Sequence, residues 1–197
     1  MRVVSGAGSV RRAMHVSMTG KDPGLTLLEL MITISVLAIV TAISVPAMTK
    51  FIANLRQVTQ ANNFIADIVY ARNEAATRGV RVTLCASQNV DTAANPTCAA
   101  TGTTAWETGR IIFVDSNGNG VKTSGESLLK KSSGLPTGYS LTASGFSDPS
   151  YLTFSTYGGL TPSTAGSFKV CSTSITSGYR IAVAATGQPL STQVTCP

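Results

Sequence analysis

The feature that most constrains this chain is an apolar block from Leu25 to Val45 that contains one charged residue, Glu29. As an α-helix the block would span about 30 Å, the thickness of the hydrocarbon core of a bilayer. It is too long for the apolar region of a signal peptide, and no Ala-x-Ala-like cleavage site follows it. The charged residues before it are basic except for Asp22, which favours a cytoplasmic N-terminus. We therefore expect residues 25–45 to span a membrane.

Composition narrows the class of protein further. The chain is 43% hydrophobic but only 12% charged, and beyond the block it is rich in Gly, Ser and Thr, which argues against a plain cytosolic enzyme and a polytopic membrane protein. Its only histidine is His15, near the N-terminus. If that segment is removed, histidine-based acid–base catalysis and most zinc sites are excluded. We expect neither catalysis nor a cofactor.

Glu29 points to a partner for the apolar block. A carboxylate in hydrocarbon costs a few kcal/mol, so it is usually retained for an interaction. A cut after Gly24 would make Leu25 a new N-terminus and supply a positively charged amine nearby.

The run Gly24-Leu25-Thr26-Leu27-Leu28-Glu29-Leu30 resembles the processing site of type IV pilins and type II secretion pseudopilins. The resemblance implies that a prepilin peptidase cuts after Gly24 and methylates Leu25, and that Glu29 pairs with the N-terminal amine of a neighbouring subunit. Pro46 falls where many pilins carry a proline that kinks or loosens the helix. One departure is the first mature residue, which is Leu here and usually Phe in the family.

The processing site divides the chain into three parts. Residues 1–24 form the leader, and because it is long we hypothesise that translation starts at Met18; peptides from upstream of Met18 in the precursor would contradict this. Residues 25–79 form one long helix that ends at Gly79. Residues 80–197 form the body.

The second half of the helix should pack on the body through an apolar stripe, with Gln57 and Asp67 pointing away from it. The stripe comprises Met48, Phe51, Leu55, Val58, Ala61, Ile65, Ile68, Arg72 and Ala75.

The body reads as antiparallel β structure, so the fold class is α+β, with a long N-terminal helix packed on a β-sheet body as in pilins. Short β-rich runs alternate with clusters of turn residues, and no second helical pattern appears. The expected strands are Arg81–Ala86, Ile111–Asp115, Ser127–Lys130, Tyr139–Thr142, Tyr151–Ser155, Phe168–Cys171 and Tyr179–Ala184.

All four cysteines, Cys85, Cys98, Cys171 and Cys196, lie in the body. An even number of cysteines beyond a membrane segment indicates disulfides in an oxidising compartment. Three pairings are possible. We favour Cys85–Cys98 and Cys171–Cys196, because each closes a local loop and the second ties down the C-terminus.

A second resemblance lies within the body. The stretch Trp106–Asp115 with the Asn- and Gly-rich loop after it is similar to the central motif of the GspH/FimT group of minor pilins and pseudopilins. The strands Phe168–Cys171 and Tyr179–Val183 are similar to the closing strands of that group. This resemblance implies a minor subunit of a filament.

The same loop matches the calcium-binding pattern of an EF-hand, with Asp115, Asn117, Asn119 and Glu126 as candidate ligands. An EF-hand needs a helix on each side, whereas strands are expected here. A hairpin connection rich in Asn and Gly would give the same pattern, so both interpretations stay open and we expect no metal.

Nucleic acid is not expected as a partner. Some FimT-type minor pilins bind DNA through a Gly-Arg-x-Arg motif, and the corresponding turn here, Gly187-Gln188-Pro189-Leu190, lacks both arginines. The remaining candidates for a basic patch are scattered over the end of the helix and the body: Arg72, Arg78, Arg81, Lys122, Lys130, Lys131, Lys169 and Arg180.

These observations lead to one functional hypothesis with two alternatives. We expect a minor pilin that enters the bacterial inner membrane once, with its body in the periplasm, and joins a type IV pilus with major and minor pilins as a hetero-oligomer. One alternative is the minor pseudopilin H of a type II secretion system. The other is a DNA-binding minor pilin for natural transformation.

Overall fold

The computed structural model describes residues 24–197, except for the side chains of residues 46 and 47. The expectations for the leader, including Met18 and His15, lie outside the described residues. The chain divides at residue 43, and the second unit is Ser44–Pro197.

A single long helix, α1, runs from Leu27 to Arg78. It ends at Gly79, whose φ of 65° is the left-handed conformation that favours glycine and whose N–H donates to the carbonyl of Ala75 at 3.0 Å. The expected C-cap is therefore confirmed. The helical assignment continues through Pro46, whose side chain is not among those described, so the kink stays a prediction.

Eight strands in two antiparallel sheets follow the helix. Sheet A has the order β3-β2-β1-β5, and sheet B has the order β4-β6-β7-β8. All seven expected strands are present, with shifted ends, and β8 was not expected. The strands are β1 Val82–Ala86, β2 Gly109–Val114, β3 Leu128–Ser133, β4 Tyr139–Ser144, β5 Tyr151–Phe154, β6 Gly166–Ser172, β7 Ile175–Val183 and β8 Pro189–Thr195.

The core of the second unit lies where α1 meets both sheets. Phe64 of the helix is fully buried against Trp106 and against Phe168 of β6, with ring centroids 5.7 and 4.5 Å apart. Trp106 and Phe168 also meet edge to face at 5.0 Å. Such aromatic contacts add to the burial of large apolar surfaces, so this cluster holds helix and sheets together.

The expected helix stripe is partly wrong. Ala61, Ile68 and Ala75 are buried as expected, but Met48, Phe51 and Leu55 are exposed. The packed face is rotated and includes residues outside the stripe: Ala53, Gln57, Phe64, Asp67 and Ala71. Apolar residues occur on two faces of this helix, and only one of the faces meets the sheets.

Gln57 and Asp67, expected to point away from the body, are buried because each finds a polar partner there. The Gln57 amide donates to the carbonyl of Val170 in β6 at 3.1 Å. Asp67 forms ion pairs with Arg110 of β2 and with Lys130 of β3, the latter at 2.7 Å. Arg110 also lies over the Phe64 ring, 5.1 Å from its centroid. A buried carboxylate is tolerated only when it is paired in this way.

Both favoured disulfides are present. Cys85 of β1 is bonded to Cys98 across a separation of 13 residues, and Cys171 of β6 to Cys196 across 25 residues. The second bond fixes the end of the chain to the centre of sheet B, and the described residues contain no free cysteine.

Candidate functional site

The first candidate site is the N-terminal part of α1. Every side chain from Leu25 to Val45 is exposed, and the large apolar ones are each more than half exposed. By length and composition, α1 is the one helix among the described residues that could cross a membrane. Such an exposed apolar surface needs a covering of lipid or of other apolar helices.

The helix starts with a cap that was not predicted from the sequence. The Thr26 hydroxyl accepts the Glu29 N–H at 3.2 Å, and the Thr26 carbonyl accepts the Leu30 N–H at 3.2 Å. Thr26 and Glu29 have the spacing of a capping box, a signal that was available in the sequence. Gly24, Leu25 and Thr26 therefore precede the helix in irregular backbone.

Hydroxyl groups inside the apolar segment bond back to their own helix. Thr33 donates to the Leu30 carbonyl at 2.8 Å, and Ser35 donates to the Met31 carbonyl at 2.7 Å. Bonds of this kind satisfy a hydroxyl group in hydrocarbon. The carboxylate of Glu29 differs, because it is exposed and has no hydrogen bond or ion pair within residues 24–197.

The loop proposed for calcium is held by its own amides. Asp115 is buried; one of its carboxylate oxygens accepts the Gly118 N–H at 2.7 Å and the other accepts the Gly120 N–H at 3.0 Å. The carboxylate of Glu126 accepts the N–H groups of Ser116 at 3.0 Å and Thr123 at 2.8 Å. This bonding favours the turn interpretation over the calcium site.

Asn117 and Asn119 take part in the same turn. The Asn117 side-chain oxygen accepts the Asn119 N–H at 3.0 Å, and that of Asn119 accepts the Val121 N–H at 2.9 Å. Across residues 24–197, no three His, Cys, Asp or Glu side chains form a group that could hold a metal ion. Strands β2 and β3 flank the loop, where an EF-hand would have helices.

Several of the basic residues are engaged in contacts within the body. Arg72 donates to the Gly158 carbonyl at 3.1 Å and to the Gln188 side chain at 3.4 Å, so it ties two loops to the helix. Lys131 donates to two loop carbonyls at 3.1 Å. Arg110 and Lys130 neutralise Asp67. Because these cations serve the fold, they add little to a site for phosphates.

Two perturbed pKa values belong to Asp148, just before β5, and to Tyr151, its first residue. Burial opposes ionisation of Asp148, but hydrogen bonds from Ser150 and from the Gly102 N–H outweigh it, so the pKa of Asp148 lies below its ordinary value. Burial raises the pKa of Tyr151, and the charges of Asp148 and Asp115 raise it further. The Asp148 carboxylate thereby joins two loops, which is a structural role.

Comparisons with known proteins give a family and a fold. The family model described as Type II transport protein GspH matches residues 60–187, well over half of the chain. The model described as Prokaryotic N-terminal methylation motif matches residues 21–45. A comparison with curated protein sequences gives no match.

A comparison with solved structures finds a minor pilin and a minor pseudopilin. The type IV minor pilin FimU of Pseudomonas aeruginosa, in one crystal form, has a TM-score of 0.51 and 23% identity over 75% of this chain and 92% of its own. The minor pseudopilin EpsH of the Vibrio cholerae Type 2 Secretion System has a TM-score of 0.46 and 10% identity over 71% and 97% of the chains. The family match and the methylation motif together show that this chain belongs to the GspH family of type IV pilin-like minor pilins and pseudopilins, which are structural subunits and not enzymes.

Proposed function

We propose that this chain is a minor subunit of a type IV pilus, held in the bacterial inner membrane before it joins the filament. The observation that carries the proposal is the uncovered apolar helix with Glu29 in its first turn. Neighbouring pilin helices would cover this surface in a filament, as lipid covers it before assembly.

Processing by a prepilin peptidase would occur after Gly24. Residues 24–26 precede the helix, so the bond between Gly24 and Leu25 is in irregular backbone that a peptidase can bind. A Cβ at Gly24 would meet nothing within 4 Å, so packing within the described residues does not require glycine there. A glycine that packing does not require agrees with recognition of this position by the peptidase. The same enzyme would methylate Leu25.

Glu29 would then pair with the N-terminal amine of a neighbouring subunit. In a low-dielectric surrounding an unpaired carboxylate is costly, and an opposite charge removes much of that cost. A subunit in the wrong register would leave both charges unpaired. Glu29 therefore favours one register of assembly.

The orientation we propose places the body in the periplasm. Basic residues before the apolar segment favour a cytoplasmic N-terminus. Both disulfides require an oxidising compartment, which agrees with a body beyond the inner membrane. The body would then contact other minor subunits in the assembled filament.

A second candidate is a minor pseudopilin of a type II secretion system, which the description of the matching family model favours. We place it second because the two disulfides suit a subunit that reaches the cell exterior. Deletion of the gene separates the candidates. Loss of surface pili and of twitching with normal protein secretion supports the pilus, and the reverse result supports the pseudopilin.

The assembly mechanism is tested by Glu29→Gln, with Glu74→Gln as its matched control on the same helix. Glu74 forms an exposed i,i+4 pair with Arg78, so its loss should leave assembly unchanged. We expect the Glu29 variant to accumulate in the membrane and to fall at least tenfold in sheared filaments, the effect of about 1.4 kcal/mol or more. Equal amounts of both variants in filaments would contradict the role of Glu29.

A further inference from the structure

The two sheets have four edge strands, and three of these edges are protected. Along β3, Lys130 and Lys131 place charges on the edge, and Lys131 donates to the carbonyls of Ala93 and Ala94. Along β5, the Thr161 N–H donates to the Thr153 carbonyl at 2.8 Å, so the following segment turns back over the strand. Charge and coverage are the usual means by which proteins stop edges from pairing with other chains.

The edge of β4 is covered by the segment Thr104–Trp106. The Trp106 N–H donates to the Leu141 carbonyl at 2.8 Å, and the Ala143 N–H donates to the Thr104 carbonyl at 2.8 Å. Ala105 forms an isolated β-bridge with this strand. A further chain could not pair there without displacing the segment.

Strand β8 forms the fourth edge, and its outer side is bare. The Ala184 N–H donates to the Gln188 carbonyl, and the Cys196 N–H donates to the Thr176 carbonyl. Together with the register of the β7–β8 pair, these bonds show which residues of β8 are hydrogen-bonded to β7. In an antiparallel pair alternate residues bond to the same neighbour, so residues 190, 192 and 194 bond to β7. The backbone groups of Ser191, Gln193 and Thr195 point outward, and no described residue bonds to them.

The side chains of β8 do nothing to repel a further strand. No charged residue follows Arg180 in the sequence. Ser191, Gln193 and Thr195 are exposed, and Leu190 is 65% exposed. A seven-residue edge without charge, and with its proline confined to the first position, is a template for strand addition.

The edge is also held rigid at both ends. At its start, Arg72 of the helix bonds to the Gln188 side chain in the turn before the strand. At its end, Cys196 is bonded to Cys171 of β6. A strand fixed at both ends loses little conformational entropy when it binds a second strand.

From this contrast between the four edges, we propose that β8 binds an extended, uncharged segment of a neighbouring pilin subunit by strand addition. The inference rests on the proposed function, since it places the contact inside a filament. Main-chain hydrogen bonds to Ser191, Gln193 and Thr195 would supply affinity, and Leu190 would contribute apolar contact.

The partner we propose is a different subunit, because antiparallel pairing of β8 with the β8 of a second copy conflicts with the geometry of a filament. Antiparallel pairing of β8 with itself creates a two-fold axis perpendicular to the sheet. That axis would reverse the direction of the helix packed on the sheet. Subunits of a filament whose helices all enter the membrane from one side must keep those helices parallel, so β8 should receive a strand of another subunit.

Site-specific photo-crosslinking in filaments of the full chain tests the contact. A photoreactive residue at Gln193 should crosslink to another pilin, whereas one at the exposed Thr101 should not. Ser191→Pro removes an outward N–H and no hydrogen bond to β7, so it should lower the Gln193 crosslink about tenfold, while Ser191→Ala should leave it unchanged. Equal crosslinking in the two variants, or crosslinking mainly to a second copy, would overturn the inference.

Hydrogen exchange of the unsubstituted chain gives a test that needs no variant. The amides of Ser191, Gln193 and Thr195 should exchange at least tenfold more slowly in filaments than in the detergent-solubilised subunit. Unchanged exchange in a chain that is present in filaments would overturn this inference and leave the proposed function intact. Absence of the chain from filaments and from their assembly complexes would overturn both.

Discussion

Asp67→Asn should destabilise the body strongly, because it breaks a buried ion pair without changing the shape of the side chain. Asp67 is 1% exposed and Arg110 is 4% exposed, so the variant leaves a buried guanidinium without its anion. Loss of one partner of a buried pair costs about 3–5 kcal/mol. Lys130 is 41% exposed and can return its charge to water, so we expect the lower end of that range.

Urea denaturation of the full chain in detergent measures this effect through the fluorescence of the single tryptophan, the fully buried Trp106. With a slope of about 2 kcal/mol/M, a loss of about 3 kcal/mol lowers the midpoint by about 1.5 M. The matched control is Glu74→Gln, which removes a surface pair worth about 0.3–0.5 kcal/mol. If Asp67→Asn shifts the urea midpoint no more than the control does, the ion pair between Asp67 and Arg110 does not hold α1 to sheet A.

Three further predictions concern the core, the Asp148 loop and the second disulfide. Phe64→Ala should cost about 3–5 kcal/mol in urea denaturation, while Leu55→Ala, at an exposed position, should cost under about 0.5 kcal/mol; similar losses would contradict the rotated helix face. Because the folded pKa of Asp148 is lowered, its stabilisation is present at neutral pH and is lost as the pH falls below about 4 through the folded pKa. Asp148→Asn should remove that part of the pH dependence, and an unchanged acid transition would refute it. Replacing Cys171 and Cys196 together by Ser should lower the free energy of unfolding by about 3.5 kcal/mol, and an unchanged thermal midpoint would contradict the anchoring of β8.

The sequence predicted the architecture well where a signal is local. The Gly79 cap and seven of the eight strands follow from periodicity and turn residues, and the structure confirms them. Closure of local loops favoured one of the three possible disulfide pairings, and that pairing is present. The methylation motif matches residues 21–45, which include Gly24 and Glu29.

The face that α1 presents to the body could not be obtained in the same way. Phe51 and Leu55 fit an apolar stripe as well as Phe64 does, and the sequence does not say which apolar face is covered. Gln57 and Asp67 look like surface residues until Val170 and the basic residues of β2 and β3 are placed beside them. Their partners are distant in sequence, so no local pattern reveals them.

Strand β8 was also not predicted, because no local sequence pattern reveals it. The run from Pro189 to Thr195 is rich in Ser and Thr and lacks a buried apolar alternation, so it looks like a loop. Five of its seven residues are exposed and none is fully buried, so the strand carries no such alternation. The same property makes it a candidate interface.

The measurement that tests the central claim most directly is the intact mass of the chain purified from its native membranes and filaments, before and after reduction. Processing and assembly as proposed predict a chain that starts at Leu25 with one added methyl group, about 14 Da, and gains about 4 Da when both disulfides are reduced. A filament-associated chain that still carries residues before Leu25 would contradict processing after Gly24. The pairing of Glu29 with the new N-terminal amine would then have no basis.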